Sequence, residues 1–168
     1  MTIHKTIHKT KGKKVKAIIG FPFGGSLEYG PGAANEALGK IIDEVAWQWV
    51  EDLVVIQSPL DQCILTLEDL TISSRGYIDT EEVIGWANSF LQEKGVTEVR
   101  LVAHPFHRFY CARLLRRKGF DVEIVPTGWV PFDRNSDGWW TRGPLRLMAY
   151  SVLATIGLHG IGYRKPKR

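Results

Sequence analysis

The chain has 168 residues, 44% hydrophobic and 24% charged, proportions that exclude a disordered or fibrous protein and suit one domain with its own core. Its two cysteines, Cys63 and Cys111, match no metal spacing and make no disulfide framework, so a reduced, cytoplasmic protein is expected. The net charge of +4 belongs to the ends: Met1–Lys16 holds six lysines and Arg164–Arg168 four basic residues, neither with an acid, which leaves twelve basic against eighteen acidic side chains between them.

In chain order, Met1–Lys16 has no apolar run of the kind a signal peptide needs. Val15–Phe21 reads as a buried first strand that ends in the turn residues Pro22 and Gly24-Gly25-Ser26. Apolar positions from Ala33 to Val50 recur with a helical period, and Leu53–Ile56 is a second strand closed by Ser58-Pro59. Leu60–Ser74 is ambiguous, with Cys63–Leu67 readable as a short strand or a helical turn. Asp79 or Thr80 caps a helix that runs to Lys94, and Glu81 and Glu82 favour its first turn. Val99–Ala103 is a third strand, Phe106–Lys118 a helix stopped by Gly119, and Asp121–Val125 a fourth strand. After a loop rich in Pro, Gly and Trp, Leu145–Leu158 forms an apolar last helix, too short to span a bilayer and expected to be buried.

Continuous apolar strands alternating with helices mark a parallel sheet covered on both faces. The predicted fold class is therefore α/β, a doubly wound, Rossmann-like three-layer sandwich with a mainly parallel sheet. Residues 15–163 are expected to form the single domain, flanked by a basic tail at 1–14, expected to be disordered, and a basic tail at 164–168.

The segment Glu98–Asp121 carries the strongest functional signal. Its strand runs into His104-Pro105-Phe106-His107-Arg108 and then a basic helix, and such a loop sits at the carboxyl edge of an open α/β sheet, where ligands bind. His107 beside Arg108 suits acid–base or anion-binding work, because imidazole titrates near neutrality. His104 is the second imidazole candidate. Gly24, Gly25 and Ser26 can offer backbone amides to an anion, although they form neither a Walker loop nor the dinucleotide fingerprint. Glycines that merely make a tight turn are the alternative. Thr80 and Glu82 either cap their helix or place a carboxylate near His107, and Arg75 adds an anion contact from the loop before. Trp129, Trp139 and Trp140 can stack on a base or sugar, or cover the end of the core. Arg113, Arg116, Arg117 and Lys118 read as a solvated helix face. No local spacing asks for a metal.

The order of these pieces resembles a known group. Asp79-Thr80-Glu81-Glu82 at a helix start, then Leu101–Ala112 around His107, then a Gly-Phe-Asp-Val strand, are together similar to the YdcF/SanA/ElyC family of bacterial domains, whose activity is largely undefined. The likeness spans Val15 to Tyr163. It departs from the family pattern at four places: Asp79 stands where the family has a first Asn, Val83 where it has a second, Tyr110 where it has an Arg, and no glutamate lies near Met148–Tyr150.

The resemblance implies the same fold and a cleft for a small anionic or nucleotide-like ligand, with S-adenosylmethionine among the candidates. As a hydrolase or transferase, the protein would use His107 and Glu82 catalytically, with Gly24, Gly25, Ser26, Arg75, Thr80, His104 and Arg108 holding the ligand. The alternatives are a non-catalytic binding protein on the same scaffold, or an accessory protein that puts its basic tails on nucleic acid or membrane.

Overall fold

A computed structural model of the chain describes residues 15–26, 28–50, 52–73 and 79–155. Both basic tails and Arg75 lie outside these residues. Among the described residues, five strands form one sheet: β1 (Val15–Gly20), β2 (Leu53–Gln57), β3 (Leu70–Ile72), β4 (Val96–Val102) and β5 (Asp121–Ile124). Their order is β3-β2-β1-β4-β5 and every pairing is parallel, the expected α/β, Rossmann-like class.

The helices are α1 (Gly32–Gln48), α2 (Thr80–Glu93), α3 (Arg108–Arg117) and α4 (Pro144–Thr155), with single 3-10 turns at Leu60–Gln62 and Trp139–Arg142. Alternation along each strand sends side chains to two separate cores. Ile18, Val54, Ile56 and Val102 meet Leu38, Ile42 and Val45 of α1 on one face. Ala17, Ile19, Val99 and Leu101 meet Val83, Ile84, Ala87 and Leu91 of α2, with Ala112 and Leu115 of α3, on the other. Layers of helix, sheet and helix result, and no central strand has a wet face.

Local chemistry accounts for several boundaries. The Asp79 carboxylate accepts the Glu82 amide at 2.8 Å, an N-cap on α2, and Gly95 follows that helix with a φ of 70°. The basic face of α3 is exposed, as expected, at Arg113, Arg116, Arg117 and Lys118.

Two expectations need correction. The ambiguous segment makes its helical turn at Leu60–Gln62, before Cys63, and holds a fifth strand at Leu70–Ile72. Three residues at a sheet edge are too few to show a period. The last helix is not buried: no residue from Pro144 to Leu153 is in the buried class, because α4 packs mainly on the Trp139–Arg142 turn rather than on the sheet. No helix among the described residues is long and apolar enough to cross a membrane.

Candidate functional site

The chain winds to one side of β1 through α1 and β2, and to the other through β4. The strand order therefore reverses between β1 and β4, and in such sheets the crevice at the carboxyl ends of those two strands is the place for a ligand. Phe21 ties the edges together, donating its amide to the Val102 carbonyl at 3.0 Å. Two loops leave this point, one through Gly24-Gly25-Ser26 and one through His104–His107.

The glycine loop is clasped from within. The Gly25 amide donates to Asp133 Oδ2 at 3.0 Å, and the Gly25 carbonyl accepts the Asp137 amide at 2.9 Å. Ser26 Oγ donates to Asp137 Oδ1 at 3.0 Å. Asn35, fully buried on α1, accepts the Phe23 amide at 2.7 Å and donates to the Pro31 carbonyl at 2.7 Å. Gly32, at a φ of 78°, leaves room for the clasp, since a Cβ there would stand 2.3 Å from Asp133 Oδ2. A carboxylate of the chain itself thus occupies the Gly25 amide that the sequence offers to an anion.

His104 lies in the core at 1% exposure and stacks on Phe23 with ring centroids 3.7 Å apart. The Phe106 amide donates to its Nδ1 at 3.3 Å, and its Nε2 lies 3.2 Å from the Val130 carbonyl. A neutral ring with its proton on Nε2 satisfies both bonds. Burial pushes its pKa down to about 4, against a smaller upward pull from the Val130 carbonyl. Both nitrogens are engaged with the chain, so His104 anchors the turn and has none left for a ligand.

His107 differs. It is half-buried at the α3 N-terminus, and its Nε2 lies 3.3 Å from Thr80 Oγ1 at the start of α2. Burial holds its pKa at about 4, so the imidazole is neutral near pH 7. Tyr110, one turn on, has its ring centroid 5.9 Å away. Burial, with the Glu81 and Asp79 carboxylates behind it, pushes the Tyr110 phenol up, so it remains a neutral donor and acceptor.

The Arg108 guanidinium lies over the Phe109 ring at 4.9 Å, and its Nε is buried without a partner among the described residues. Thr127 Oγ1, beyond β5 at the same sheet edge, is likewise buried and unpartnered. Native proteins pair nearly all such groups, so each marks a place where a donor awaits something.

Of the residues singled out in the sequence, the structure brings together Thr80 and His107, with Arg108 next along α3. It does not bring Glu82 to His107: the Glu82 side chain is exposed, with no hydrogen bond or ion pair among the described residues. Trp129 is exposed, whereas Trp140 stacks on Tyr150 at 4.3 Å and Trp139 meets both rings edge-on. Sequence reasoning missed Asn35, Asp133 and Asp137. The Asp-Arg-Asn-Ser-Asp run was a usable signal for a polar clasp, but its target lies 108 residues away in the chain.

An open cavity of about 450 Å3 lies at the opposite, amino-terminal edge, among Trp47, Val50, Asp52, Thr66 and Asp69. Its carboxylates are committed, Asp52 to buried Arg100 and Asp69 to the Val54 amide. Thr66 Oγ1 there is also buried without a partner among the described residues, but a lone hydroxyl brings no charge to an anion, whereas the Arg108 guanidinium and the strand-order reversal favour the carboxyl edge. Compared with protein-family models and with curated proteins, the chain matches none.

Proposed function

We propose that this is a YdcF-like α/β protein that binds a small anionic or nucleotide-like ligand at the carboxyl edge, through Thr80, His107 and Arg108. The observation that carries the reading is the buried, unpartnered Nε of Arg108, next to a histidine that shares its own Nε2 with a single hydroxyl. A guanidinium suits a phosphate or carboxylate, while the neutral imidazole and the Thr80 hydroxyl suit uncharged oxygens beside it.

The glycine loop is not part of this clamp, because Asp133 fills it. That bears on S-adenosylmethionine. A Rossmann cradle needs open glycine amides after the first strand and an acid near the end of the second, whereas here the strand ends in Gln57-Ser58-Pro59. The residues at that loop do not fit the group.

Binding without turnover is the better-supported form of the proposal. A base of pKa about 4 is far from matched to neutral pH, and Glu82 does not reach the imidazole. The Thr80–His107 pair favours the second reading, a hydrolase or transferase in which neutral His107 takes a proton from a hydroxyl or a water.

Thermal-shift scans of the wild type, Arg108→Ala and His107→Ala test the site with inorganic phosphate, nucleotides, sugar phosphates and S-adenosylmethionine. A ligand at 100 times its dissociation constant adds about 2.7 kcal/mol, or roughly 5–10 °C. A shift lost in both variants supports the site; a shift retained in both, or none with any compound, overturns it.

A further inference from the structure

The last helix is a misfit in the structure. Between Pro144 and Thr155 its only charged residue is Arg146, yet none of its residues through Leu153 is buried. Its inner side is held by Leu147 against the α1-side core and by Tyr150 on Trp140. Its outer side presents Leu145, Met148 and Val152, exposed by 80%, 67% and 66%. Spacings of three and four residues put these side chains in one row along the helix. A row of large apolar groups in water marks a surface that is covered by something.

Charge identifies what covers it. The domain as a whole is acidic, but from Thr127 onward the chain carries seven basic residues and only two acids, Asp133 and Asp137. Both of those acids are buried in the glycine-loop clasp, so the outward charge of this end is positive. Beyond the helix the sequence continues with Ile156, Leu158, Ile161 and Tyr163 and closes on Arg164-Lys165-Pro166-Lys167-Arg168. An apolar helical face followed by an aromatic and a basic cluster is the combination that holds a helix in the plane of an anionic lipid surface.

We propose that α4 and the basic residues after it form a reversible docking surface for anionic lipid headgroups. Leu145, Met148 and Val152 enter the interface, and Arg146 with the terminal arginines and lysines meets the headgroups. The helix lies on the membrane and does not cross it, in keeping with its length. Two weak attachments, one apolar and one electrostatic, act together, so loss of either releases the protein. The inference does not depend on the ligand site at the carboxyl edge.

Flotation of the full chain with phosphatidylcholine vesicles, with and without phosphatidylserine, tests it. The wild type floats with the anionic vesicles, stays behind with the neutral ones, and is released by salt. Replacing Leu145, Met148 and Val152 together by Ser leaves the fold intact, because all three are exposed, and lowers the partition coefficient by about a hundredfold. Reversing Arg164, Lys165, Lys167 and Arg168 to Glu has a similar effect. Equal flotation of wild type and both variants, or none by the wild type, overturns the proposal. So does a concentration-dependent dimer that the triple Ser variant abolishes in the absence of lipid, which would make the stripe a contact between copies.

Discussion

The two loops that leave the carboxyl ends of β1 and β4 are neighbours in space and opposites in chemistry. The glycine loop looks ready for an anion, with two glycines at positive φ and a serine, yet Asp133 takes the Gly25 amide, Asp137 the Ser26 hydroxyl and Asn35 the Gly24 carbonyl. The loop into α3 looks ordinary beyond His104, yet it delivers a half-buried His107 and an unpaired Arg108 Nε. Residue type alone ranks the glycines first. Whether a donor is already satisfied ranks them last, and that depends on chain segments far away in sequence.

The comparison is broken most severely at Gly32. Gly32→Ala puts a Cβ on the Asp133 carboxylate and a side chain at a φ of 78°, so it forces the clasp open. A loss of about 3 kcal/mol or more is expected, read as a melting temperature roughly 6–12 °C lower. A variant as stable as the wild type would show that the clasp does not hold the loop.

Next in size is His104→Ala, which removes a ring stacked on Phe23 and leaves the Val130 carbonyl and the Phe106 amide without their partner. About 2–4 kcal/mol should be lost in urea unfolding. His107→Ala in the same assay should cost under about 1 kcal/mol, since it gives up one hydrogen bond. Similar losses at the two histidines would erase the distinction between anchor and site.

Acid sharpens the same pair. Both imidazoles are held neutral, at about 4, against 6.5 for the free group. Between those values the unfolded chain binds protons that the folded one does not. Stability is thus fully present above about pH 6.5 and falls progressively as the pH drops towards 4. Melting temperatures across that range should decline more gently in His107→Gln than in the wild type, and an unchanged slope would mean that His107 titrates normally. The smallest effect belongs to Glu82→Gln: within about 0.5 kcal/mol of the wild type in stability, and no change in any ligand-induced shift. A lost shift would return Glu82 to the site.

Much of this fold is legible in the order of its residues. Ala17–Ile19, Val54–Ile56 and the run from Leu101 to Ala103 are apolar because both faces of a parallel sheet are covered, and Asp79 and Gly95 bracket α2 through bonds made within a few residues. Periodicity, caps and turn glycines act over one or two turns of chain, so a reader of the sequence sees them directly. Parallel pairing and the position of the crevice follow from that alternation, which is why the pairing of His107 with a strand-end loop could be anticipated. Tertiary structure decided the rest. It made a strand of Leu70–Ile72, which has no period of its own and exists because β2 offers an edge. It carried Asp133 and Asp137 back onto the glycine loop, turned His104 into an anchor and left Arg108 Nε unpaired. It also left an apolar helix in water. Each of these outcomes depends on groups brought together across long stretches of chain, and composition cannot show whether a polar atom has found its partner or an apolar face its cover.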